Sequence, residues 1–166
     1  GDAVHRLIFA AFALTLSACV QQTAPLPNSN FRPQGGQVYT AAAFDAARLP
    51  GRWAQVAGFG PKTNCKPGGV DIKPDGTAAF RLCLGGKTVK GAGKMQPTGP
   101  GRFAVAGQEW FILWADGDYR PLATGTPTGA FGFVLNRGGK ISGDRMTAAR
   151  EIFEWNGYDT AAFQPL

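Results

Sequence analysis

The sequence predicts an all-β domain of eight short antiparallel strands that close into a barrel, with one helix near the carboxyl end. The chain of 166 residues contains 24 glycines and 12 prolines, and both residue types disfavour helix interiors. From Gly51 onward, turn-forming residues recur roughly every 8–12 residues, a spacing typical of sandwiches and barrels. A hydrophobic fraction of 44% is enough for one core, and the length fits a single domain.

Residues 1–18 have the composition of a secretory signal, which we expect to be removed. Arg6 precedes a short apolar run, and small residues come just before Cys19. The run is too short to cross a bilayer as a mature helix, which needs about 20 residues. The alternatives are a plain secretory signal without a lipid and a buried apolar strand.

The end of this segment, Leu16-Ser17-Ala18-Cys19, resembles a bacterial lipobox. The resemblance implies that Cys19 becomes the first mature residue and carries acyl chains such as palmitate, and several chains give stable anchoring. Val20 after the cysteine implies the outer membrane, with the protein facing the periplasm. Residues 19–43 are rich in proline, glycine and asparagine without periodicity, so we expect a flexible, lipid-anchored tether before the domain at 44–166.

The predicted strands are separated by residues that favour turns. Asp75-Gly76 is a hairpin pattern, and Pro67-Gly68-Gly69 predicts a bulge in the second strand. No helical pattern lies between the strands, which argues against a parallel sheet with crossover helices. The strands are expected at about 52–59, 63–73, 77–84, 88–96, 102–106, 109–115, 119–125 and 130–137.

The last strand alternates, with Phe131, Phe133 and Leu135 on one side. The sixth strand, 109–115, is apolar on both sides, as expected for a barrel wall that is covered by a helix on its outer face. A helix is predicted at about 142–155. Its apolar residues at helical spacing form one stripe for packing: Met146, Ala149, Ile152 and Phe153.

Composition restricts the chemistry of the mature chain. The one histidine, His5, lies in the predicted signal, which excludes Ser-His-Asp and Cys-His catalysis and histidine-ligated zinc. The net charge of +6 comes from basic residues scattered along the sequence. We interpret them as a solvated surface; anionic lipid headgroups are an alternative partner, and nucleic acid is not expected for an exported chain.

Cys65 and Cys83 lie on neighbouring strands of one predicted hairpin. Export places them in an oxidising compartment, so we expect a disulfide. The bulge in the second strand would bring the two cysteines into register. The alternative is two buried free thiols.

Three motifs in order along the chain resemble those of lipocalins. Gly51-Arg52-Trp53 on the first strand is a G-x-W motif. Asp118-Tyr119-Arg120 resembles the second motif, with Gly117 where the family usually has threonine, and Arg137 ends the last strand as in the third. The tail at 154–159 also fits. With the lipobox, the pattern over about 45–166 resembles bacterial outer-membrane lipoprotein lipocalins.

The resemblance implies an up-and-down barrel whose floor is closed by Trp53 stacked against Arg137, with Gly51 and Tyr119 also structural. It implies that the cavity binds, and possibly carries, a fatty acid, lysophospholipid or similar lipid. The alternative is a structural or interaction lipoprotein whose barrel is filled by its own aromatic residues. We expect no enzyme activity, cofactor or metal, and the oligomeric state is left open. The residues expected to line the cavity are Trp110, Ile112, Trp114, Phe131, Phe133 and Leu135.

Overall fold

The computed structural model describes residue 24 and residues 29–61 and 65–166. The described residues form an antiparallel β-sheet and one helix, which confirms the predicted fold class. The helix α1 is Gly143–Trp155. The strands are β1 Gly51–Phe59, β2 Gly69–Ile72, β3 Thr77–Leu84, β4 Lys87–Lys94, β5 Gln96–Gly99, β6 Arg102–Val105, β7 Gln108–Ala115, β8 Pro121–Gly125, β9 Gly132–Asn136 and β10 Phe163–Pro165.

The sheet follows the chain up and down. Its strand order is β4-β3-β2-β1-β9-β8-β7-β6-β5, and β10 pairs with β1. The two ends of this order, β4 and β5, are separated along the chain only by Met95. One continuous segment therefore changes partner from β3 to β6 and brings the sheet round into a nearly closed barrel. The predicted eight strands correspond to β1–β9 with β4 and β5 counted as one, and β10 is an addition.

The second predicted strand is shorter than expected. Pairing of β2 begins at Gly69, which lies opposite both Ala54 and Arg81. Just before it, a Cβ atom on Gly68 would lie 1.7 Å from the carbonyl oxygen of Arg81. Only glycine lets the chain pass so close to β3, so the glycines that predicted a bulge mark a close backbone approach.

Apolar side chains form two clusters, one on each face of the barrel wall. The inner cluster faces the inside of the barrel and includes Leu82, Leu84, Val105, Leu122 and Phe133. The outer cluster lies beneath α1 and includes Ala57, Val134, Ala149, Phe153 and Tyr158.

The helix α1 begins and ends close to its predicted bounds. The Ser142 hydroxyl caps it by accepting a hydrogen bond from the backbone N–H of Arg145 at 3.4 Å. Ala149 and Phe153 are fully buried against the barrel. Gly157, with φ +82°, follows the last turn.

Residues 29–43, predicted to belong to the flexible tether, lie against the barrel instead. Val38 is buried in the outer cluster, and the backbone N–H of Ala41 donates to the carbonyl of Ile112 at 3.0 Å. Arg32 is 3% exposed and donates to the carbonyl oxygens of Pro127 at 2.6 Å and Asn156 at 2.7 Å. Arg32 and Val38 thus attach this segment to the barrel, although its glycines and prolines predicted a flexible linker.

Candidate functional site: the barrel interior and its closed end

The closed end of the barrel is formed by the residues of the predicted floor. The Arg137 guanidinium carbon lies 4.0 Å from the ring centroid of Trp53, and Trp53 is 2% exposed. This is a cation–π contact on a buried indole. The indole N–H donates to the carbonyl of Leu49 at 2.9 Å, so its polar atom is satisfied.

Gly51 permits this stacking. Its φ of +132° lies in a region that favours glycine, and a Cβ there would lie 3.2 Å from an Arg137 nitrogen. Arg137 also donates to the carbonyl oxygens of Pro50, at 3.0 Å, and of Arg48. Burial, and secondarily the charge of Arg48, lowers the pKa of Arg137.

A second layer lies outside the floor. The 3-10 turn Ala46–Arg48 crosses the end of the barrel and is capped by the Asp45 side chain. The Arg48 guanidinium lies 4.1 Å from the ring centroid of Tyr119, and the Tyr119 hydroxyl accepts a hydrogen bond from the Asp45 backbone at 2.8 Å. Tyr119 has φ +54°, so the second motif places its aromatic ring through an unusual backbone conformation. Tyr119 of the second motif thus packs against the 3-10 turn outside the floor.

Five of the six predicted lining residues belong to the inner cluster: Trp110, Ile112, Phe131, Phe133 and Leu135.

Trp114 does not face the interior, contrary to the prediction. The pairing of β7 with β8 shifts between Ile112 and Trp114. This bulge breaks the alternation, so Trp114 follows Leu113 to the outer cluster and packs there, partly buried.

The middle of the barrel is occupied by aromatic rings. Phe80 and Trp110 have ring centroids 4.9 Å apart, and Trp110 and Phe133 are 5.3 Å apart. Phe131 stacks beside Phe133 at 6.1 Å. These four residues, which we call the aromatic block, are at most 6% exposed.

Free space lies nearer the closed end. A cavity of about 330 Å³ with a mostly apolar lining lies between the 3-10 turn and the β2–β3 hairpin, and it is partly open to solvent, since Pro74 and Pro97 of its lining are exposed. We call it the floor cavity. Four of its lining residues are also members of the inner cluster, so the cavity adjoins the barrel interior: Leu49, Ile72, Met95 and Phe103.

Two polar groups interrupt the apolar interior. The Gln108 side chain accepts a hydrogen bond from the Trp110 indole at 2.9 Å. Within the described part of the chain, the Gln108 amide nitrogen and the Thr124 hydroxyl are buried without a hydrogen-bond partner. An unpaired buried donor costs about 1–3 kcal/mol, so these groups suit a ligand or water oxygen.

Cys65 and Cys83 form a disulfide, with Cα atoms 5.8 Å apart, as predicted. Beside it, Gln55 is 3% exposed and its amide both accepts from and donates to the Cys83 backbone, each at 2.8 Å. The Gln55 side chain thus pairs with the backbone of Cys83, a part of β3 that lies beyond its pairing with β2. Its importance was missed because a glutamine on a strand gives no sign of which backbone it pairs with.

The predicted lipid anchor, and the expected absence of metal ligands and of a membrane-spanning helix, concern more of the chain than the barrel interior. Cys19 and residues 1–18 lie outside the described residues. Among the residues described, no group of three or more His, Cys, Asp or Glu side chains could hold a metal ion. No helix found in the described ranges has the length and apolar character needed to cross a membrane.

Comparison with known proteins shows the fold. No protein-family model and no curated protein sequence matches the chain. The solved structure of the major allergen Per a 4 from cockroaches matches with a TM-score of 0.53 and 12% identity, over 80% of this chain and 94% of that one. Apocrustacyanin C1 matches with a TM-score of 0.50 and 16% identity, over 79% of this chain and 88% of that one. Both are lipocalin-fold proteins, so this chain has the lipocalin fold.

Proposed function

We propose that the chain binds one small hydrophobic ligand, a fatty acid, lysophospholipid or similar lipid, inside the barrel. The floor cavity carries this proposal. Its volume of about 330 Å³ is at the lower end of the range of small-molecule pockets, roughly 300–1,000 Å³. Its apolar lining suits a hydrocarbon, and the chain acts as a binding protein without a catalytic step.

The aromatic block limits the size of the ligand. A short acyl chain fits the floor cavity without moving the packed rings. A longer chain, such as that of palmitate, extends past Phe103 toward Trp110 and requires the block to open. The unpaired Gln108 amide beyond the block would then donate to an oxygen of the ligand.

The anchoring proposed for Cys19 would keep this binding site at the outer membrane, facing the periplasm. Replacing Cys19 with serine is expected to move the protein from the membrane fraction to the soluble fraction when membranes are washed at high salt concentration, which screens charge attraction to lipid, with the lipid-binding domain unchanged.

The second candidate is a structural or interaction lipoprotein with a filled barrel. The aromatic block favours it, because its rings already bury one another at centroid distances of 4.9–6.1 Å.

Calorimetric titration with octanoic acid and with palmitic acid separates the two candidates. Met95→Trp fills the floor cavity and is expected to weaken octanoate binding at least tenfold. Met146→Trp places the same side chain in the groove beside α1 and is expected to change binding less than twofold. Native mass spectrometry of the purified chain reports any lipid that copurifies. No copurified lipid and no binding of either acid would support the filled barrel.

A further inference from the structure

The net charge of the chain is concentrated in one part of the sequence. Residues 51–94 contain eight lysines and arginines and two aspartates, a net charge of +6. All other residues together contain nine basic and nine acidic side chains. The excess of positive charge therefore belongs to the stretch that forms β1–β4, although no run of basic residues is visible along it.

Strand pairing gathers these charges on one surface. Along each strand, alternate side chains point to opposite faces. On β1, Trp53 is buried and Arg52 is exposed; on β3, Phe80 is buried and Arg81 is exposed. Arg81 lies opposite Lys90 of β4. The outward side of this sheet, which we call the basic face, carries Arg52, Lys73, Arg81, Lys90 and Lys94, all exposed.

The centre of the basic face is recessed. A depression of about 510 Å³ lies between Arg52, Arg81 and Lys90, and small residues, among them Gly69 and Ala79, separate the cationic side chains. Long flexible cations around a floor of small residues leave room for phosphate groups to approach.

Two acidic residues lie near these cations: Asp71, beside Arg52 in the depression, and Asp75, whose pKa is lowered by hydrogen bonds from Thr77 and by the charges of Lys73 and Lys94. Asp71 lies 3.8 Å from Arg52, and the two side chains are 57% and 91% exposed. Ion pairs as exposed as this one contribute little stability. Arg52 can therefore exchange Asp71 for another anion at small cost.

We propose that the basic face docks the domain on an anionic lipid bilayer. Its cations are spread over neighbouring strands about 4.8 Å apart, an arrangement that suits a plane of many phosphates better than a single small anion. Each lysine or arginine near an anionic membrane contributes about a fivefold gain in binding. The disulfide Cys65–Cys83 is typical of exported proteins, which disfavours nucleic acid as the partner. The proposal requires neither an occupied floor cavity nor an acylated Cys19.

Co-sedimentation of the full chain with vesicles tests this proposal. Every sample carries Cys19→Ser, so that no acyl chain contributes to binding. The protein is expected to bind phosphatidylcholine vesicles that contain phosphatidylglycerol, and to bind pure phosphatidylcholine vesicles at least tenfold more weakly. Raising the salt concentration should weaken the binding.

Two charge-matched variants localise the binding. Arg81→Gln with Lys90→Gln is expected to reduce affinity for the anionic vesicles about tenfold or more. Lys140→Gln with Arg150→Gln removes the same charge from exposed positions outside the basic face and should reduce affinity less than threefold. Equal losses in the two variants would show diffuse attraction and overturn the proposal. Binding to a DNA duplex but not to anionic vesicles would overturn it in favour of nucleic acid.

Discussion

Single side chains at the two ends of the barrel stabilise it by different interactions. At the closed end, Trp53 combines nearly complete burial with a cation above its ring and a satisfied indole N–H. At the other end, the Tyr158 hydroxyl donates to the carbonyl of Phe131 at 2.6 Å and accepts from the backbone N–H of Thr126 at 2.9 Å. Tyr158 thereby links the tail after α1 to the β8–β9 connection.

Replacing Trp53 with alanine is expected to lower the free energy of unfolding by about 3–5 kcal/mol, because it removes a large buried side chain and leaves a cavity. Urea denaturation followed by circular dichroism measures the change. Trp155→Ala is the matched control, since Trp155 is 78% exposed, and should change stability by less than about 0.5 kcal/mol. Equal effects of the two substitutions would contradict the structural role of the floor tryptophan.

Because the Tyr158 hydroxyl is buried, we expect the protein to lose stability at high pH. Burial raises the pKa of Tyr158 from 10.0 to about 12, so the protonated hydroxyl is favoured in the folded state. This contribution is complete below pH 10 and is lost as the pH rises toward 12, for a total of roughly 2–3 kcal/mol. Unfolding free energies measured between pH 9 and pH 12 should fall more steeply for the wild type than for Tyr158→Phe. Parallel curves would show that Tyr158 does not control the loss.

At the level of elements, the sequence predicted strand and helix positions well, because turn residues and alternation are local properties. The bulge at Leu113 was not predictable, since nothing in the run Trp110-Phe111-Ile112-Leu113-Trp114 marks where alternation breaks. The bulge reversed the orientation of Trp114. The partner change at Met95 depends on which strands meet in space, and the floor cavity beside it could not be predicted for the same reason.

The amino-terminal segment shows the same limit. Composition predicted a tether, whereas Arg32 attaches it to the barrel through long-range contacts. Arg32→Met keeps the length of the side chain but removes its hydrogen bonds, and is expected to cost about 1.5–3 kcal/mol of stability.

Hydrogen exchange provides a local measure of this attachment. The amide of Phe31 donates to the carbonyl of Gly129 at 2.7 Å and should lose its protection in Arg32→Met. Arg52→Met, at a side chain that is 91% exposed, is the control and should leave that amide protected. Unchanged protection in both variants would mean that Arg32 does not hold the segment.

For the whole molecule, closure of the sheet predicts cooperative unfolding. Because β4 continues directly into β5, separating either strand disturbs pairing on both sides of the barrel. Far-ultraviolet circular dichroism and tryptophan fluorescence should therefore give one coincident transition in urea. Two separate transitions would contradict this expectation.

The disulfide provides a second measurement on the same transition. It closes a loop of 18 residues, and removing it with Cys65→Ala and Cys83→Ala should lower the free energy of unfolding by about 3 kcal/mol. The transition should move to lower urea and remain single.

Charge distribution at this scale was also not apparent from the sequence. Spacing along the chain made the basic residues look dispersed, and only the pairing of β1–β4 places them side by side. The prediction of a solvated surface correctly described the cations of the basic face as exposed, but not that they share one face, and it did not foresee that Arg32 is buried.

The contacts of Arg32 also have a mechanical consequence. A pulling force applied at residue 29 would load the hydrogen bond from Phe31 to Gly129 and the bonds from Arg32 to Pro127 and Asn156 before it reached any strand of the barrel. These bonds lie between the pulling point and the sheet, so they would rupture first. The segment that they hold would then detach while the barrel stayed folded. The contacts of Arg32 would thus absorb part of the applied force and delay mechanical unfolding of the domain.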